Sequence, residues 1–219
     1  WSSRLYWYSN CRRDIDDRIM SDLFVDNIKH QSSQGSGTIT LGTSGETIAL
    51  ASGASVTGNG LVGITMVDQW RLNAQLLAAT AFITTNLERA DDASWSGIGT
   101  GMSESSGVFS FPQTGIYEVE FIGSASFYNN SSRYIGCEIH VTTDNSTYTR
   151  RALNYDSISQ FSSTGYASII TKTLVDVTDT SNVKVKFKQD WQNTNSNAHI
   201  QGDTDYNRTT FTFKRLGDT

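Results

Sequence analysis

At 219 residues and a formal net charge of −5, the chain can bury a sizeable core without disulfides and is too acidic for duplex DNA to be its main partner. Charged residues make up only 18% of it, glycine occurs 18 times and proline once, a mixture that favours an all-β protein over a helical one. No apolar stretch approaches the ~20 residues that cross a bilayer as a helix, which excludes an inserted helical membrane protein.

Residues 1–30 read as an N-terminal lead-in. Within it, 1–19 combine aromatics and charges without a period, and Met20 opens MSDLFVDNIKH like a natural start. Residues 1–19 are therefore either upstream sequence or an anchor using Ile15 and Ile19. The first residues lack the basic-then-apolar order of a secretion signal, so export by lysis or on a particle is the expectation.

Residues 31–60 form a weak repeat, TITLG, TIALASG and SVTG, each a few β-prone residues followed by glycine. The apolar positions Ile39, Leu41, Ile48, Leu50 and Val56 are too thin for a private core. The segment reads either as a β-repeat shaft that pairs with other chains or as a Gly/Ser linker.

From residue 61 to 219 short strands follow one another with turn punctuation and no helical period between them, which predicts a sandwich. Strands are expected over 64–72, 81–85 and 101–111. Pro112 then stops the chain and Gly115 closes a short turn. From Tyr117 the alternation is strict: Tyr117, Val119, Phe121, Gly123, Ala125 and Phe127 share one face, and Glu118, Glu120, Ser124 and Ser126 the other. The NNSS turn at 129–132 reverses the chain into 134–142, where Ile135, Cys137, Ile139 and Val141 point inward. Cys137 is thus expected as a buried apolar side chain. Further strands are expected at 147–154, 166–177, 182–188 and 208–214. The apolar density of 166–177 predicts burial on both faces or a subunit contact.

Chemistry-bearing groups are few. His30, His140 and His199 stand in no zinc spacing, and Cys11 and Cys137 form no disulfide framework. No Gly-x-Ser-x-Gly elbow is present. Glu118 and Glu120 share a strand face rather than flanking a cleft, which argues against glycoside hydrolysis; they could instead face Lys184, Lys186 and Lys188 on a paired strand. Asp203 and Asp205 lie in an oxygen-rich loop and are weak calcium candidates, without the EF-hand pattern. The stronger signal is aromatic: Trp95, Trp191, Tyr155 and Tyr206 stand among Asn, Asp and Ser. Rings with an apolar face and polar neighbours are suited to stacking on sugars, although packing of the sandwich ends or the subunit contacts is the plainer use for them.

The spelling FSFPQTGIYEVEF at 109–121 resembles the lead into a long strand of the C1q/TNF-like jelly-roll family. GYASIITKTLVDVTDTSNVKVKF at 165–187 and TTFTFKRL at 209–216 resemble its late strands and closing strand. DQWRL, NLER and GTGM are similar to the heads of marine bacteriophage fibre proteins, and 31–60 to their shafts. No collagen-like Gly-X-Y stalk precedes the domain. The resemblance implies a homotrimeric, non-enzymatic head on a virion, acting outside the cell. It would recognise a host surface glycan or protein, with the N-terminal region held by other virion proteins. The family includes calcium-bound members; no other cofactor is implied. Three rival readings are a structural trimerising or decorating module, a glycan-cleaving fibre, for which no carboxylate cleft is visible, and a secreted C1q-like binding protein.

Overall fold

The computed structural model describes residues 64–219. Thirteen strands follow in chain order: β1 Met66–Leu72, β2 Ala74–Leu77, β3 Ala81–Phe82, β4 Leu87–Arg89, β5 Ser103–Ser105, β6 Val108–Ser110, β7 Gly115–Tyr128, β8 Ser132–Thr142, β9 Thr149–Ile158, β10 Thr164–Val177, β11 Lys184–Trp191, β12 Ala198–Asp203 and β13 Thr210–Gly217. No helix occurs among the described residues, so the all-β expectation holds there. The lead-in expected over 1–30 and the repeat expected over 31–60 lie outside the described residues, as do His30 and Cys11.

All pairings among the described residues are antiparallel and form two sheets. In sheet A, β7 is flanked on one side by β10 along its whole length and on the other by β13 and β12 end to end; β1 and β4 continue beyond β13, and β2 beyond β12. Sheet B runs β5-β6-β11-β8-β9, with β3 also paired to β11. Among the described residues, the long strands β9 and β10 are thus sheet edges.

The sheets meet through their alternate apolar residues, making a β-sandwich with an aromatic centre. Phe187 of sheet B stands 4.5 Å from Phe211 of sheet A, and Phe109 of sheet B stands 5.2 Å from Phe213. Tyr117, Val119, Phe121, Ala125 and Phe127 are all buried, as their period-two spacing requires. The turn before β7 is fixed from within. The Tyr117 ring packs 4.7 Å from Phe111, and its hydroxyl donates to the Gln113 carbonyl at 2.9 Å. Gly115 has φ +139°, and a Cβ there would stand 2.5 Å from the Gly217 carbonyl oxygen, so no other residue fits without displacement.

Two expectations are corrected. The polar run around 198–203 forms β12, because Ala198 and Ile200 alternate into the core beside β7. Glu118 and Glu120 cannot face the lysine row, since β7 belongs to sheet A and β11 to sheet B; Glu118 pairs instead with Lys214 at 3.1 Å. Of the two alternatives expected for β10, burial on both faces is not met within the chain. Ile169, Thr171, Val175 and Val177 are buried, while Tyr166, Ile170 and Leu174 face outward and are more than half exposed.

Candidate functional site

Alternation along β8 turns Ile135, Cys137, Ile139 and Val141 into the core and leaves Tyr134, Gly136, Glu138 and His140 on the outer face of sheet B. Register then assembles three rows across that face. Tyr155 and Asp190 flank Gly136, Leu153 and Lys188 flank Glu138, and Arg150 and Lys186 flank His140.

In the first row Tyr155 lies against the sheet because Gly136 has no side chain. A Cβ at Gly136 would stand 2.8 Å from Cε1 of the Tyr155 ring. The hydroxyl donates to Asp190 Oδ2 at 3.3 Å, and Thr80 Oγ1 donates to Asp190 Oδ1 at 3.0 Å. Tyr134 stands 5.2 Å away at 63° and walls one side. With one face against the main chain and its tip tied down, Tyr155 is still 48% exposed. Desolvation and the Asp190 carboxylate push its hydroxyl above the usual phenol range, so it stays a neutral donor. The result is an apolar ring held in place beside polar acceptors, an arrangement suited to stacking on a flat apolar ring face.

The next rows are held by a buried carboxylate. Glu138 is 1% exposed, and its oxygens lie 2.6 Å from His140 Nε2, 3.0 Å from Lys188 Nζ and 3.6 Å from Arg150 Nη1. Burial alone would raise its carboxyl, but the hydrogen bonds from His140 and Lys188 outweigh that and hold it below the usual range. The Lys186 ammonium lies 4.3 Å from the Tyr148 ring and 5.4 Å from Phe82, two cation–π contacts.

The other residues singled out in the sequence fall elsewhere. Trp191, singled out above for its polar neighbours, ends β11 and is 3% exposed; its Nε1 donates to Gln189 at 2.9 Å and its ring meets Phe127 at 6.4 Å. A ring so covered presents no face to a ligand, so Trp191 leaves the candidate set. Trp95, half-buried, sits in the turn after Asp92, whose carbonyl accepts its amide at 3.0 Å. Tyr206 is exposed, and Arg208 Nη2 donates to its hydroxyl at 2.6 Å. These two loops are joined beside sheet A: buried Arg71 bonds Glu88 at 2.7 Å and Asp91 at 2.6 Å, and Thr204 bonds Glu88 at 3.1 Å.

Asp203 accepts the Asp205 amide at 3.0 Å, and that backbone bond holds its carboxyl below the usual range. No group of three or more His, Cys, Asp and Glu suited to a metal ion occurs among the described residues.

The sequence pointed to Tyr155 but not to its setting. The outward positions of Tyr134 and Gly136 were legible from the alternation at 134–142; the β8–β9 and β8–β11 registers that bring Tyr155 and Asp190 to Gly136 were not. Comparison with protein-family models and with curated proteins returns no match to this chain.

Proposed function

We propose that this chain is a trimeric attachment protein of a bacteriophage tail fibre, whose C1q/TNF-like jelly-roll head recognises a host surface glycan or protein. The observation that carries the attachment reading is the open face of Tyr155, a fixed aromatic surface on the outside of the sandwich.

Support for the jelly roll comes from the strand order. Numbering β1, β6, β7, β8, β9, β10, β11 and β13 from one to eight, sheet A contains the path 1-8-3-6 and sheet B the path 2-7-4-5. Two nested Greek keys produce such an order. Support for self-association comes from β10. Its 14 residues run along a sheet edge, and Tyr166, Ile170 and Leu174 recur every fourth position on the outward face, next to Ile122 of β7. Asn154 of β9 caps the Ile170 carbonyl at 2.9 Å, but the apolar row stays open, and such a row is a liability unless another chain covers it. Three heads on one fibre then multiply a weak single-site affinity.

Full-length chain, labelled with a fluorophore, is expected to decorate host cells, and Tyr155→Ala to lose most of that binding with its circular dichroism unchanged. Equal binding by Tyr155→Ala contradicts the site, and absence of binding by the parent favours a purely structural trimerising or decorating role.

A further inference from the structure

Resting on the attachment reading, we infer that the outer face of sheet B selects an acidic saccharide, stacked on Tyr155 with its anionic groups directed along the β11 lysine row. The charge of this face runs against that of the chain. Overall the sequence carries 17 Lys and Arg against 22 Asp and Glu. On the outward positions of β8, β9 and β11 the cations are Lys184, Lys186, Lys188 and Arg150, and the carboxylates are Glu138 and Asp190.

The carboxylates leave much of that positive charge unmatched. Glu138 is buried and shared among His140, Lys188 and Arg150. Lys184 donates to the Thr180 carbonyl at 2.9 Å, Lys186 rests between Tyr148 and Phe82, and neither has a carboxylate partner among the described residues. Asp190 gives the site a direction. Its oxygens already accept from Tyr155 and Thr80, so they can take further sugar hydroxyls but repel an anion. An acidic group on a ring stacked at Tyr155 is therefore favoured on the Lys188 side. Successive outward lysines stand about 7 Å apart along the strand, so an extended acidic chain laid along it meets more than one cation.

A single-stranded nucleic acid also combines stacking with negative charge. The acidic saccharide is favoured because Asp190 beside the ring accepts hydroxyls, in which sugars are rich.

The test uses the full chain and three probes: oligogalacturonate, neutral dextran of similar length, and oligo(dT). Binding is followed by calorimetry at about 50 and about 200 mM salt. Oligogalacturonate is expected to bind at least about tenfold more tightly than dextran and to weaken with salt. Lys184→Gln with Lys186→Gln breaks no ion pair among the described residues and is expected to weaken oligogalacturonate about five- to tenfold, while Lys214→Gln on sheet A leaves it unchanged. Tyr155→Ala is expected to weaken both saccharides. Equal affinity for dextran, equal loss from the sheet A variant, or preferential binding of oligo(dT) overturns the inference. If Tyr155-dependent cell binding survives such a result, the attachment reading stands without acidic selection. If oligogalacturonate binds as expected and no cell is decorated, the saccharide site stands and the attachment reading fails.

Discussion

Gly123 shows how tightly single positions are determined. It lies on the inward face of β7, and a Cβ there would come 2.3 Å from Cys137 Sγ on the facing sheet. Gly123→Ala therefore overpacks the core and is expected to cost about 1–3 kcal/mol in urea unfolding. Adding Cys137→Ala should recover part of it, giving a coupling above about 0.5 kcal/mol in the double-mutant cycle. Additive costs would mean that the two positions do not touch. Glu138 makes a second residue-scale prediction. Its carboxyl titrates below the ordinary 4.5, so the stability it contributes is full above that value and is lost as pH falls through the depressed one. Glu138→Gln should be less stable than the parent at neutral pH and should converge with it as pH falls below about 4.5. Stability curves that stay parallel from neutral pH into that acid range would contradict the role.

Among the elements, β10 joins legible sequence to unreadable context. Its strand character was visible in YASIITKTLVDV, but periodicity could not distinguish an edge from a centre, because that depends on pairing with the distant strand β7. The register leaves Ile170 and Leu174 outside. Ile170→Lys with Leu174→Lys is expected to leave monomer stability within about 0.5 kcal/mol, as surface substitutions do, and to weaken self-association. An unchanged oligomer would place the interface elsewhere. In contrast, β7 was legible nearly residue by residue, since strict alternation and the Pro112–Gly115 turn both mark it. The polar strand β12 was not: Ala198 and Ile200 are too few inward side chains among polar neighbours to give a signal. Trp191 misled for the same reason. Its amide-rich surroundings resemble a loop, although the Gln189 bond and the Phe127 contact hold it in the core.

For the whole molecule, the sandwich followed from composition and strand spacing, whereas the proposed binding face did not. Tyr155, Gly136 and Asp190 come from three strands, and only pairing between β8, β9 and β11 puts them in one row. The most direct test of a trimeric attachment head is the solution mass of the full chain, by light scattering after size exclusion at micromolar concentration. Three times the 24.1 kDa chain mass is the predicted result, falling toward one chain in the Ile170→Lys, Leu174→Lys variant. A stable monomer for the parent would contradict the account.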